Sequence, residues 1–124
     1  DVCSSDLAAA GEALMGHPGL YERWCTRVQT WVADEGIWLQ QQLQAMPGLQ
    51  PMPSAANYLL VSGERGGKPW GLEPLRQQLE QRHRILLRDC RSFEGLGDTW
   101  LRIGYQSRRN NRRIIRALRE ELAC

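Results

Sequence analysis

Two arginines lie inside segments of the sequence that are otherwise largely apolar. Arg88 follows Ile85-Leu-Leu, and Arg102 lies in the middle of Trp100-Leu-Arg-Ile-Gly-Tyr. Alternation along two strands in a common register would present both guanidinium groups on one face. There they could bind two anionic groups of one small molecule. The alternative is that each arginine pairs with a local carboxylate, such as Asp89, Glu94 or Asp98.

The other reactive side chains form no recognisable constellation. His17 lies in a loop-like His-Pro-Gly and His83 lies between two arginines, so neither has a Ser, Cys or carboxylate partner at a catalytic spacing. The cysteines show neither CxxC nor a Cys/His ligand spacing, and we expect no disulfide framework and no metal site. They are Cys3, Cys25, Cys90 and Cys124.

Charge is distributed unevenly along the 124 residues. Residues 1–64 carry two basic and seven acidic groups, whereas residues 65–124 carry fourteen basic and seven acidic groups. An anionic ligand is therefore expected in the second half. The arginines between 108 and 119 could instead bind nucleic acid, but no aromatic side chain lies among them to stack bases. We predict no nucleic-acid partner.

Composition predicts one modest core, since 42% of the residues are hydrophobic and 24% are charged. No run of eighteen apolar residues occurs, so we predict no membrane association and a cytoplasmic protein.

The first half of the sequence has helical periodicity. Residues 8–16 are typical of the end of a helix, and residues 20–46 have apolar positions every three or four residues, with Gly36 as a possible bend. Three tryptophans lie at seven-residue spacing, and they could form a base-stacking ladder or a packing face. Because they alternate with Val and Leu, we interpret them as a packing face. They are Trp24, Trp31 and Trp38.

The second half alternates strands and helices. Strands are predicted at 57–62, 85–90 and 100–105, and helices at 72–82 and after Ser107, which can cap the last one. The glycines of 62–71 match no phosphate-binding motif, and we interpret that segment as a surface turn. The order α-α-β-α-β-β-α predicts an α+β fold, with a small mixed or antiparallel sheet covered by helices on one face and preceded by a long amphipathic helix.

Two stretches resemble a known family. SAANYLLV (Ser54–Val61) and ILLRDCRSFEGLGDTWLRIGYQSRRNNRRIIRAL (Ile85–Leu118) are similar to the C-terminal small domain of pyridoxal phosphate (PLP) enzymes of the class I/II aminotransferase fold, fold type I. Within that fold they resemble the branch of histidinol-phosphate aminotransferase and of the L-threonine-O-3-phosphate decarboxylase of cobalamin biosynthesis. The RDC-SF-GL element, which begins at Arg88, indicates the decarboxylase.

The resemblance implies roles for individual residues. The family's phosphate-binding arginine matches Arg88, and its arginine for the α-carboxylate of the amino acid matches Arg102. Asn57 matches the asparagine of an Ala-Asn-Tyr strand and is interpreted as structural. Asn111 matches an asparagine at the opening of the last helix, where Arg-Asn-Asn replaces Glu-Glu-Asn, and this change is expected to affect only capping.

The resemblance also implies a function. The chain would be the C-terminal fragment of a PLP-dependent threonine-phosphate decarboxylase that forms aminopropanol phosphate, and it would bind the phosphorylated amino-acid substrate. PLP would be bound mainly by a missing N-terminal domain, because Lys68 lacks the Ser/Thr-rich setting of the family's PLP lysine. We therefore expect no catalytic residue in this chain and no activity of the chain alone. The alternatives are a histidinol-phosphate aminotransferase fragment and a non-catalytic structural or dimerisation domain.

The implied organisation has three parts. Residues 1–7 (DVCSSDL) fit the helix pattern poorly and are what one frame of a common sequencing-library adapter encodes, so we interpret them as a non-native leader. Residues 8–46 would link to the large domain, and residues 47–124 would form the small α+β domain. Because enzymes of this fold are usually homodimers, a homodimer is expected.

Overall fold

A computed structural model describes residues 2–123. Within these residues, four helices and five strands follow one another along the chain. They are α1 (Val2–Gly16), α2 (Leu20–Gln44), β1 (Leu49–Pro51), β2 (Tyr58–Arg65), β3 (Lys68–Pro69), α3 (Glu73–His83), β4 (Arg88–Cys90), β5 (Gly97–Gly104) and α4 (Arg108–Leu122). Helices interleaved with an antiparallel sheet confirm the predicted α+β class.

The described residues form two compact units that divide after Trp31, inside α2. The first unit contains α1 and the N-terminal part of α2, and most of its side chains from residue 6 onward are exposed. Tyr21 and Trp24 stack there, with ring centroids 6.5 Å apart. The second unit begins at Val32 and contains the sheet, α3 and α4. The predicted boundary after residue 46 refers to a longer enzyme and stays a prediction, as does the leader.

The sheet has the strand order β1-β2-β5-β4, and β3 pairs with the end of β2. β2 and β5 form its centre, where Leu59 lies opposite Ile103. Burial alternates along β2, so Leu59 and Val61 face the core while Tyr58 and Leu60 face the other side. One face of the sheet is therefore buried, and the other is half-exposed.

The core of the second unit lies between the buried face of the sheet and the helices. It is almost entirely aliphatic, because α3, α4 and the part of α2 in this unit each contribute one apolar stripe. Its members include Leu39 and Leu43 of α2, Leu75 and Leu79 of α3, Ile114, Ile115 and Leu118 of α4, and Leu59, Val61, Leu101 and Ile103 of the sheet. The helices predicted at 72–82 and after Ser107 are confirmed, and each places an apolar stripe in this core.

The ends of the helices follow from local sequence. α3 has Pro74 in its first turn and ends at His83, and its C-cap residue Arg84 adopts a left-handed conformation with φ 55°. Ser107 caps α4, and its hydroxyl oxygen accepts a hydrogen bond from the backbone N–H of Asn110 at 3.2 Å. The predicted cap is confirmed.

The segment 62–71 is more regular than the sequence indicated. β2 continues to Arg65 and forms a hairpin with β3, so the interpretation of the whole segment as a surface turn was wrong. The turn is confined to Gly66 and Gly67, which adopt φ values of 61° and 77°. Two consecutive positive φ values are what a two-residue hairpin turn of type I′ requires.

The strand bounds differ from prediction in three other places. β1 was missed because its proline indicated an irregular connection, yet Pro51 lies on an edge strand, where the missing N–H is tolerated. The strand predicted at 85–90 is limited to Arg88–Cys90. The strand predicted at 100–105 begins earlier, at Gly97.

Helix α2 runs without a break through Gly36, and the bend expected there stays a prediction. A Cβ at this position would lie 2.9 Å from the hydroxyl oxygen of Tyr105 and 3.3 Å from its ring. Glycine is therefore needed for close packing. Among the tryptophans, Trp38 packs against the core, whereas Trp24 is 51% exposed and Trp31 is 36% exposed.

Candidate functional site

The register of β4 and β5 places Arg88 directly opposite Arg102. Directly opposite residues on antiparallel strands project from the same face and have Cα atoms about 4.5–5.5 Å apart. The predicted shared face is therefore confirmed. It is the half-exposed face of the sheet, because Arg102 alternates with the buried residues Leu101 and Ile103.

The two guanidinium groups differ in their surroundings. The guanidinium carbon of Arg102 lies over the ring of Tyr58, 4.0 Å from the ring centroid. Arg102 is half-buried, whereas Arg88 is exposed. One cation is thus held by an aromatic ring, and the other extends into solvent.

Local carboxylates do not neutralise this pair. Within residues 2–123, ion pairs involve neither Arg88 nor Arg102. Asp89 pairs instead with Arg91, at 3.1 Å, and hydrogen bonds from Arg91 lower the pKa of the Asp89 carboxyl group. The face therefore carries two positive charges that remain available to an anionic ligand.

Asn57 precedes β2, beside the arginine face. Its backbone carbonyl accepts a hydrogen bond from the backbone N–H of Tyr105 at 2.9 Å, and its side chain is exposed. The backbone of Asn57 thus extends the pairing of β2 with β5 by one residue. A structural role for the Asn57 side chain stays a prediction.

A buried polar cluster was missed at the sequence level. Nδ2 of Asn111 donates a hydrogen bond to Oε2 of Glu35 at 2.8 Å, and Nε of Arg108 donates to the same carboxylate at 2.9 and 3.0 Å. The guanidinium carbon of Arg108 also lies 4.7 Å from the ring centroid of Trp38. The helical spacing puts Glu35 on the same side of α2 as the apolar residues Trp31, Trp38 and Leu39. A carboxylate on an apolar side is the sequence signal that could have predicted a buried polar contact.

Asn111 does more than shape the helix end. Its side chain is fully buried, and it both accepts from the backbone N–H of Gln106 and donates to the backbone carbonyl of Gln106, each at 3.0 Å. These bonds belong to the matching asparagine itself, and the expectation that the change in the two residues before it affects only capping stays a prediction. This cluster positions α4 against α2.

The lysine of the chain does not have the surroundings of a cofactor lysine. Lys68 is exposed on the two-residue strand β3, and the residue opposite it is Arg65. A lysine that forms a Schiff base is usually activated by desolvation in an apolar pocket or by a nearby cation, but Lys68 and its neighbour Arg65 are both exposed to solvent, which screens their charges. The residues described here therefore do not fit PLP through Lys68.

Other reactive groups add no second site. Cys90 is fully buried, and this burial raises the pKa of its thiol, so the group is a poor nucleophile. In the part of the chain that the structure describes, no group of three or more His, Cys, Asp or Glu side chains could hold a metal ion. No helix within residues 2–123 is long and apolar enough to cross a membrane. Cys124 lies outside the described residues.

Comparison with known proteins gives relatives across most of the chain. It is 34% identical to threonine-phosphate decarboxylase of Salmonella typhimurium over 111 residues. This alignment covers 89% of this chain and 29% of the relative. It is 31% identical to histidinol-phosphate aminotransferase of Methanopyrus kandleri over 85 residues. This second alignment covers 68% of this chain and 21% of the relative. No protein-family model matches the chain.

The fold also matches solved structures. The crystal structure of L-threonine-O-3-phosphate decarboxylase from Porphyromonas gingivalis aligns with a TM-score of 0.69 at 23% identity, over 78% of this chain and 28% of that chain. The structural neighbours define the class, and the chain has the fold found in PLP-dependent aminotransferases. Within that class it is a homologue of threonine-phosphate decarboxylase and histidinol-phosphate aminotransferase, as the sequence resemblance indicated.

Proposed function

We propose that this chain binds the substrate in a PLP-dependent decarboxylase that acts on L-threonine O-3-phosphate. The observation that carries the proposal is the cross-strand pair of Arg88 and Arg102 on one half-exposed face. L-threonine O-3-phosphate has two anionic groups, a carboxylate on Cα and a phosphate on the side chain. Each can accept two parallel hydrogen bonds from a guanidinium.

We assign the α-carboxylate to Arg102 and the phosphate to Arg88. The assignment comes from the family resemblance, and the different surroundings of the two arginines support it. Arg102 lies against Tyr58, so it suits the group whose orientation at Cα decides which bond breaks. Arg88 is exposed and can follow the terminal phosphate of a flexible side chain.

The alternative substrate is histidinol phosphate, which relatives of this chain support by name. Histidinol phosphate has a phosphate but no carboxylate, so it would use only one of the two cations. As a ligand of the paired arginines, the threonine ester is therefore favoured over histidinol phosphate, while 2-oxoglutarate, the amino acceptor of the aminotransferase, has two anionic groups as well. A third alternative, a structural or dimerisation domain, gives no reason for two unpaired arginines on one face.

In the complete enzyme, PLP would be bound mainly outside this chain and would supply the electron sink for the carbanion formed at Cα. The part of this chain would be to bind and orient the substrate. We further propose that the complete enzyme is a cytoplasmic homodimer of cobalamin biosynthesis that forms aminopropanol phosphate, and that the chain alone is inactive. These proposals rest on the resemblance and on the relatives' names.

Ligand binding by the chain tests the proposal directly. Calorimetric titrations would compare O-phospho-L-threonine, L-threonine and histidinol phosphate. We expect O-phospho-L-threonine to bind about tenfold more tightly than either of the others, since it alone can use both arginines. Equal affinities for all three ligands would contradict the two-anion site.

A matched variant distinguishes specific binding at the arginine pair from attraction of the anion by the overall positive charge. Arg116 is exposed on α4 and forms no ion pair within the described residues, so Arg116→Ala removes a cation that the site does not use. We expect Arg116→Ala to bind O-phospho-L-threonine as the unaltered chain does, and Arg88→Ala to bind it about tenfold more weakly. A similar loss in both variants would mean that the anion is attracted by overall charge alone.

Turnover in the complete enzyme distinguishes the two candidate reactions. We expect carbon dioxide to be released from L-threonine O-3-phosphate. Rapid transfer of the amino group of histidinol phosphate to 2-oxoglutarate, without carbon dioxide from the threonine ester, would assign the aminotransferase instead.

A further inference from the structure

We propose that Tyr58 is a positioning residue for Arg102. The ring of Tyr58 holds the Arg102 guanidinium in the orientation that binds the substrate carboxylate. The inference rests on the proposed function of Arg102 and adds to it the residue that fixes this side chain. Its basis is the contact between the two side chains, 4.0 Å from the guanidinium carbon to the ring centroid.

The sheet register brings the two side chains together. Leu60 is the residue directly opposite Arg102, and Tyr58 lies two residues before Leu60 on the same face of β2. Tyr58 is thus a diagonal neighbour of Arg102, within reach of a long side chain. Directly opposite Tyr58 is Gly104, which has no side chain to separate the ring from Arg102.

Arg102 needs such a contact because its position is electrostatically unfavourable. Arg88 lies directly opposite, and like charges at opposite positions of antiparallel strands repel each other. Within residues 2–123, no carboxylate forms an ion pair with Arg102. The negative π-face of an aromatic ring attracts a cation without neutralising its charge. Tyr58 can therefore hold Arg102 in place and leave its full charge to the ligand.

The same contact suits bidentate binding. The N–H donors of a guanidinium point outward in its plane, so a ring that covers one face leaves these donors free. Arg102 held in this way has less side-chain freedom to lose when a carboxylate binds. The backbone below the ring is also fixed, because the hydroxyl of Ser54 donates a hydrogen bond to the carbonyl of Tyr58 at 2.5 Å.

The test uses two variants of Tyr58 and two readouts. Tyr58→Leu removes the ring, whereas Tyr58→Phe keeps it. In proton–nitrogen NMR spectra, we expect the Arg102 Nε–H signal to show an upfield ring-current shift in the unaltered chain and in Tyr58→Phe, and to lose it in Tyr58→Leu. We expect Tyr58→Leu to bind O-phospho-L-threonine about three- to fivefold more weakly, and Tyr58→Phe to restore the affinity.

A control on the same face excludes a general packing effect. Leu60→Ala removes apolar contact directly opposite Arg102 but keeps the ring, so we expect neither the Arg102 signal nor the affinity to change. An Arg102 signal that stays in place in Tyr58→Leu would overturn the inference, and so would unchanged affinity in that variant. If the unaltered chain does not bind O-phospho-L-threonine, the proposed function fails, while the Arg102 signal still decides whether Tyr58 holds the guanidinium.

Discussion

The side chains of Glu35 and Asn111 form a buried hydrogen bond that joins α2 to α4, 2.8 Å from Nδ2 to Oε2. Arg108 completes the cluster by donating to the Glu35 carboxylate from the first turn of α4. Within the described residues, no buried side-chain polar atom lacks a hydrogen-bond partner. A fully satisfied cluster of this kind fixes one packing of two helices that aliphatic contacts alone would specify less strictly.

We expect the cluster to respond differently to two replacements of Glu35. Glu35→Gln keeps an oxygen that can accept from Asn111 but removes the negative charge beside Arg108, and should cost about 1 kcal/mol of the free energy of unfolding. Glu35→Leu leaves an amide N–H of Asn111 without its acceptor and should cost about 2–3 kcal/mol. Urea denaturation measures both values. Equal losses in the two variants would show that the hydrogen bond to Asn111 contributes nothing.

The two arginines of the candidate site should be separable in the complete enzyme. Arg88→Ala should lower kcat/KM for L-threonine O-3-phosphate far more than for unphosphorylated L-threonine, because only the ester has a phosphate. Arg102→Lys should lower both, by about 10²-fold, since both substrates have the α-carboxylate and lysine lacks the bidentate fork. Steady-state kinetics on the two substrates gives this comparison. Equal losses for Arg88→Ala, or unchanged kinetics for Arg102→Lys, would assign these arginines a purely structural role.

Two strand glycines should respond in opposite ways to alanine. A Cβ on Gly63 would lie 2.3 Å from the backbone oxygen of Trp70 and 2.8 Å from Leu72, so Gly63→Ala should lower stability by about 2–3 kcal/mol. Gly104 is the control, because a Cβ there meets nothing within 4 Å. Gly104→Ala should be neutral or stabilising, by up to about 1 kcal/mol. Thermal unfolding of both variants tests this, and equal behaviour would contradict it.

The Glu73–Arg76 pair predicts a specific pH dependence. Nε and one terminal nitrogen of Arg76 donate to the two carboxylate oxygens of Glu73 at 2.9 and 2.6 Å, and these hydrogen bonds lower the pKa of Glu73 from its ordinary value of 4.5. A lowered folded-state pKa contributes stability above pH 4.5, and this contribution is lost as pH falls through the folded-state value. Glu73→Gln should therefore be less stable than the unaltered chain at pH 7, by about 0.5–1 kcal/mol, and should approach it at low pH.

The control for this measurement is Glu94→Gln. Glu94 is exposed, and within the described residues it forms no ion pair. Because no ion pair is lost, its replacement should leave the free energy of unfolding at pH 7 unchanged. A Glu73→Gln profile parallel to that of the unaltered chain at every pH would contradict the proposed contribution of the pair.

The first unit exposes large apolar side chains, and we expect the chain to bind a hydrophobic dye and to self-associate. Leu7 is 74% exposed, Met15 is 69% exposed and Trp24 is 51% exposed. Trp24→Gln should lower both dye fluorescence and the apparent mass in size-exclusion chromatography. A monodisperse monomer that binds no dye would contradict this expectation.

The sequence predicted the helices well, because each has an apolar stripe at helical spacing or a clear cap. α2 and α3 were placed to within two residues at both ends, and the start of α4 was placed by its cap, Ser107. The shared face of Arg88 and Arg102 was predicted from strand alternation, and the register confirms it. Their binding roles stay predictions.

What the sequence did not predict depends on contacts between distant segments. The contact of Tyr58 with Arg102 needs the β2–β5 register, which no local pattern specifies. The partner of Glu35 lies 76 positions away in the sequence. β1 and β3 consist of three and two residues, too few for alternation to be visible, and proline in each argued against a strand.

The edges of the sheet have a consequence for aggregation. β1 and β4, the outer strands in the sheet order, are three residues long, and β1 ends in Pro51, which cannot donate to a further strand. β4 is also interrupted by a shift in register between Asp89 and Cys90. Short, kinked edges are poor templates for an incoming strand. Amyloid-like growth by edge-to-edge strand addition is therefore disfavoured. Self-association of this chain should leave its strand content, measured by infrared spectroscopy, unchanged.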